Sequence, residues 1–388
     1  MNRRLRGCAA CMLVLGMWGL AAQAQPAAKA KPNTLALGAY GNPSAARADI
    51  DAFVKVNVDE MLNDADPAAQ SKARKALEDA SYEKPATPAS AAFFLEYSQS
   101  LNTAFFPKLG PKVKTSLRNR LNIGIVTARV AAIGQNSSLA PTVERLITDG
   151  AEPVILWGLK AAQPLVPDVV KLKLPGGQLL HPMIASISPA VLKHPSGPIF
   201  DEAYTALGSV AGVADMKLAD KPAYTAVMTE LIALWDNRLQ QYRKDIPEDP
   251  AVDAKPVFFL TRETMWKTLI TEKKTQLLVM QMLSDQLGMA AQYADSIIDR
   301  KDQDKRDQLI KLSAQCCGGA YVVGAHQNIQ KLMNESKAGS QLNPTILPWG
   351  TKIRPETDPV VAEIARSFDG VKAPPTVGSN AGAGVARP

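Results

Sequence analysis

Three histidines and four cysteines in 388 residues leave little material for metal or thiol chemistry. His181, His194 and His326 form no i, i+4 pair, and neither an HExxH helix nor paired CxxC motifs occur, so no metal site is expected. The GxSxG elbow is missing too, because Gly208–Gly212 carries Ser209 in its second place instead of its third. Loops of the GxxxxGK or GxGxxG type, which cradle phosphates, are absent, and no cofactor is expected. Ser81 and Lys84 satisfy the short SxxK pattern, but no KTG partner supports it. Aromatics make up only 6% of the chain, and no alternating run is long enough to build a β-sheet domain.

What is present begins with a leader. Arg3, Arg4 and Arg6 precede an apolar stretch over residues 11–22, and Ala22-Gln-Ala24 closes it as a small-x-small cleavage signal. Residues 1–24 therefore read as a signal peptide, and the mature chain starts at Gln25 in the periplasm or outside the cell. Its removal takes away Cys8 and Cys11 and lowers the formal charge from +7 to +4. So weak a positive balance does not argue for nucleic acid. The most apolar later run, Leu277–Leu283, is far too short for a membrane span, so none is expected after cleavage.

Residues 25–43, rich in Ala, Pro, Lys and Gly, predict a flexible spacer, and residues 370–388 a disordered tail. Between them the pattern is helical. Apolar spacing predicts helices over residues 44–63, 67–77 and 91–106, the last holding the aromatic cluster Phe93, Phe94, Tyr97, Phe105 and Phe106, read as core. Further helices are expected over 199–213, 222–244 and 261–292, and from Asp307 towards Asn334 with a break at Gly318-Gly319. The Pro- and Asp-rich stretch 246–256 predicts a linker between a domain over 44–245 and a C-terminal helical layer over 257–369.

A Pro-x-Val-x-basic unit recurs at Pro141/Val143/Arg145, Pro167/Val169/Lys171 and Pro189/Val191/Lys193. Proline suits a first helical turn, so Pro141, Pro153 and Pro167 are expected helix starts, with Asp149-Gly150 closing the helix before Pro153. The expected hairpin joins helices 141–148 and 153–163, behind a longer helix marked by Leu117, Leu121, Ile125 and Ala128. The runs 129–134, 139–146 and 154–162 together resemble degenerate HEAT or armadillo-type repeats. That resemblance implies an all-α, irregular α-solenoid of antiparallel helix pairs with a concave face for protein partners. An irregular all-α domain, in which proline merely starts several helices, accommodates the same residues.

On the repeat reading, the face near Trp157, Lys160, Lys171 and Lys193 is the expected contact surface, and a protein the expected partner. Cys316 and Cys317 are a possible redox pair, although adjacent positions of an intact helix diverge too far to bond. Taken together, the sequence predicts an exported, non-catalytic interaction or scaffold protein of the bacterial cell envelope. The alternative is an exported enzyme acting on a cell-wall glycan through two dispersed carboxylates.

Overall fold

The computed structural model describes residues 44–63, 65–84, 87–212, 220–296 and 303–322. The expected leader, spacer and disordered tail, the part of the expected C-terminal layer after residue 322, and His326 lie outside them. The chain opens with α1 (Ser44–Asn63) and α2 (Pro67–Asp79). The start of α2 follows from its sequence: the Asp66 side chain accepts from Ala68 N at 2.9 Å, and Pro67 occupies a position whose amide has no helical partner. A short antiparallel hairpin follows, β1 (Tyr82–Lys84) with β2 (Thr87–Pro88), which sequence periodicity did not foretell. Ser90 then caps α3 (Ala91–Phe105), accepting from Phe93 N at 3.2 Å. As expected, Phe93, Phe94, Tyr97 and Phe105 of this helix are buried in the core, whereas Phe106, read as core too, lies just past the helix end and is 36% exposed.

Ser116 caps α4 (Leu117–Gly134), which Gln135 ends in the left-handed conformation. Two helices follow, α5 (Ala140–Ile147) and α6 (Glu152–Val169), close to the expected hairpin. One boundary differs from expectation. Instead of stopping near residue 163 and restarting at Pro167, α6 continues through Pro164 and Pro167. An interior proline costs about 3 kcal/mol, but Leu165, Val166 and Val169 lie on the buried side of the continued helix, at most 1% exposed. Their packing outweighs the local penalty. Pro141 and Pro189 do lie in first turns, whereas Pro167 lies in a last turn. The three repeat units therefore occupy unlike structural positions.

Around α6 the rest of this half is arranged: it lies against α4, α5 and α9 (Gly197–Gly208), while the short α7 (Pro182–Ala185) and α8 (Ile187–Lys193) bridge α6 to α9. Close approach at this hub requires glycine. A Cβ at Gly158 would stand 2.8 Å from Ile147 N and 2.9 Å from Leu146 C, and one at Gly124 2.9 Å from Trp157 Cβ. Beyond α9 come α10 (Lys221–Tyr242), α11 (Ala254–Leu260), α12 (Glu263–Thr268), α13 (Lys273–Ser296) and α14 (Gln303–Val322). α9 packs on α10 and α11, α10 on α13, and α14 returns against both α13 and α11. α14 runs unbroken through Gly318-Gly319, contrary to the break expected there. The fit is again close, since a Cβ at Gly319 would stand 2.9 Å from Thr261 Cγ2.

The stretch 246–256, expected to link two layers, holds the most enclosed carboxylate described. Asp253 is 0% exposed and Arg238 3%. Arg238 Nε donates to both Asp253 oxygens at 3.2 Å, while Tyr242 Oη and Tyr204 Oη donate to them at 2.7 and 3.3 Å. Arg238 also donates to Gln241 Oε1 and to Asp249 O, and stacks over the Phe200 ring at 4.7 Å. The residues expected to link two layers thus join α9, α10 and the turn before α11. Among the described residues no helix is long and apolar enough to cross a membrane.

Candidate functional site

The face expected from the repeat reading divides in two. Trp157 and Lys160, on α6, are half-buried and already engaged. Lys160 Nζ lies 5.1 Å from the Trp157 ring centroid and 3.5 Å from Glu202 Oε1, and Gln163 Nε2 donates to the other Glu202 oxygen at 3.2 Å. Lys171 and Lys193 are exposed; Lys171 pairs with Asp168 at 3.7 Å. Among the described residues no hydrogen bond, ion pair or ring contact joins either lysine to the Trp157–Lys160–Glu202 group.

The other candidates are placed as structural groups. His181 Nδ1 accepts from Met183 N at 3.1 Å and caps α7, with burial holding its pKa below the ordinary histidine value while Glu144 opposes that shift. His194 ends α8, half-buried. Ser81, the serine of the SxxK match, is fully buried at the turn into β1, away from any open surface. Cys316 is buried in α14, whose helical backbone continues through position 317. A helix turns about 100° per residue, so this backbone does not bring neighbouring positions to disulfide geometry. Asp253 has the strongly raised pKa, about 6, expected of a general acid. Burial is the main cause, while Arg238 and its hydrogen bonds pull the other way. Enclosed at 0% exposure and fully bonded, it anchors helices and cannot meet a substrate.

A different region has the properties of a contact site. Residues 97–143 contain six basic side chains and no acidic one. Against a charge of +4 for residues 25–388, this tract alone carries +6 and the remainder is net negative. Arg120 is neutralised by Asp149 at 3.1 Å. Lys108, Lys112, Lys114 and Arg118 are instead exposed on the connection from α3 to α4 and its junction with α4, and among the described residues none of the four forms an ion pair.

Local geometry fixes this connection. Leu109, 3% exposed, pins it to the core; Val113 N donates to Gly110 O at 3.1 Å and Thr115 Oγ1 to Lys108 O at 2.7 Å. Gly110 adopts φ 122, a conformation that disfavours a side chain. Pro107 and Pro111 stiffen the path further. Three grooves open along it. One of about 420 Å³ lies between Phe106, Leu109, Pro111, Val113 and Arg145; a second of about 450 Å³ reaches Lys55 and Lys108 but is also lined by Asp51 and Asp59; a third of about 680 Å³ runs between α2 and α4 past Leu117 and Arg118. In the first, the Arg145 guanidinium stacks over Phe106 at 4.9 Å and lies beside Gly110, with no acidic partner among the described residues. Phe106, Val113 and Leu117 remain 36%, 37% and 45% exposed, so apolar and cationic groups alternate on one surface. The arrangement can bind an anionic, partly apolar surface, which stacked arginine suits well. Comparison with protein-family models, curated proteins and solved structures finds no match for the chain.

Proposed function

We propose that the protein is an exported, non-catalytic interaction protein of the bacterial cell envelope, and that the connection 106–118 with Arg145 is its contact face. Its helices α4, α6 and α9 are read as the spine of an irregular, HEAT-like array that holds this face rigid. The reading is supported above all by the unneutralised cations of residues 108–118, set among exposed apolar side chains and shallow grooves. Folding alone gives no reason to gather like charges there, since their mutual repulsion is unfavourable over distances shorter than the screening length of about 10 Å.

The test is photo-cross-linking in the native cells, with a photoreactive residue placed in turn at Val113, Leu117 and, for the face expected from the sequence, Lys193. One discrete protein adduct from positions 113 and 117 supports the proposal. Adducts from 193 alone move the contact face, and none above an unirradiated control refutes the interaction reading. Sequencing the N-terminus of the protein released from the envelope tests export, with Gln25 as the expected first residue.

A further inference from the structure

Of the two cations in the first groove, Arg145 is the less exposed, and that narrows what can occupy the site. Arg145 is half-buried, held flat on Phe106 and against Gly110, so one edge of its guanidinium is turned from bulk water before anything binds. Around it the walls are Pro107, Leu109, Pro111 and Val113, with Lys112 as the second cation. A stiff, concave, apolar-walled cleft with one cation inside and others along its rim suits an extended chain carrying acidic and apolar side chains together. A lipid surface is a poorer fit, because it meets a convex protrusion and is read by lysines in water.

Accepting the contact face proposed above, we infer that the partner docks here through an acidic segment. One carboxylate takes the free edge of the Arg145 fork, a neighbouring apolar side chain packs on Pro111 and Val113, and further carboxylates lie over Lys108, Lys112, Lys114 and Arg118. The fork geometry gives register and the rim lysines give encounter rate and salt dependence. At about 420 Å³ the cleft holds one or two side chains, so affinity comes from repeated weak contacts along the segment.

The experiment titrates residues 25–388 into a short labelled peptide of glutamates containing a single leucine, at about 0.15 M salt, and follows fluorescence anisotropy. Saturable binding is expected, weaker for a peptide lacking the leucine. Arg145→Gln should weaken it about tenfold or more, the value of one charge-assisted hydrogen bond. Val113→Asp, at a position 37% exposed, should weaken it comparably by placing a like charge on the cleft wall. Melting temperature, measured for both variants, separates misfolding from lost binding, and Val113→Asp keeps the test open if Arg145→Gln fails to fold. Equal binding by wild type and both variants overturns the inference, because bulk attraction would then explain the signal. So does failure of the peptide to bind, or tighter retention on vesicles of phosphatidylglycerol that needs the lysines but not Arg145. In cells, cross-links from Val113 to a partner segment without acidic residues overturn the acidic segment and leave the interaction reading standing. Loss of all adducts removes that reading itself.

Discussion

Replacing Arg238 with methionine tests the buried clamp most directly. Methionine keeps much of the stem but removes the charge, the guanidinium stacked over Phe200 and the Arg238 donors to Asp253, Gln241 and Asp249, leaving Tyr242 and Tyr204 as donors to Asp253. Removing one partner of a buried pair leaves an uncompensated charge and costs about 3–5 kcal/mol. At roughly 2–4 °C per kcal/mol for a chain of this size, the melting temperature should fall by about 6–20 °C. The loss must depend on pH. In the wild type the Asp253 pKa is already raised to about 6, so the stability this group contributes is greatest below its ordinary value of 3.8 and declines as pH rises through 6. Taking away Arg238, which lowers that pKa, pushes it further up. The substitution should therefore cost most near pH 8, where folding demands either a buried carboxylate held by two tyrosine hydroxyls with no countercharge or proton uptake. Near pH 5 it should cost much less, because Asp253 is then protonated in both proteins. The double variant Arg238→Met with Asp253→Asn should recover most of the loss at pH 8. Differential scanning calorimetry at the two pH values decides it. An equal loss at both, or a double variant no more stable than the single one, refutes the view that the pair is an electrostatic anchor.

Three further outcomes follow from other sites. Gly158→Ala drives a methyl into the backbone of Ile147 and Leu146 and should cost about 1–3 kcal/mol, read from chemical denaturation. Asn102→Ala strands the buried Thr142, whose amide and hydroxyl both donate to Asn102 Oδ1 at 3.2 and 2.7 Å, and should cost about 1–3 kcal/mol by the same assay. His181 caps α7 only while Nδ1 is unprotonated, and its folded pKa lies below 6.5. Its contribution is therefore complete above pH 6.5 and lost as the pH falls through that depressed value, so His181→Asn, a cap that does not titrate, should flatten the acid limb of the stability profile.

Much of the helical plan was legible because its signals are local. Asp66-Pro67, Ser90 and Ser116 each place a capping oxygen ahead of an apolar period, and the helices begin where those residues stand. Long-range packing was not legible. Proline at 164 and 167 argues locally for a break, and only the burial of Leu165, Val166 and Val169 against neighbours from elsewhere in the chain explains why α6 continues. Asp253 was hidden for the same reason: its run of proline and acid reads as a linker until Arg238, 15 residues earlier, and Tyr204 are folded onto it.

The candidate contact face is a different case, since its decisive signal lay in the sequence itself. A net charge taken over the whole of residues 25–388 cancels an acid-free tract against an acidic remainder, and the weak sum conceals a strong segregation. Counting charge by segment finds residues 97–143 at once. It does not say which of the six cations are spent inside the fold, and on that point only structure discriminates. Arg120 is consumed by Asp149, whereas Arg145, just beyond the tract, is brought back over Phe106 by the packing of α5 against residues 106–108. Segregated charge therefore indicates where to look, and the pairing of each cation decides what remains available to a partner.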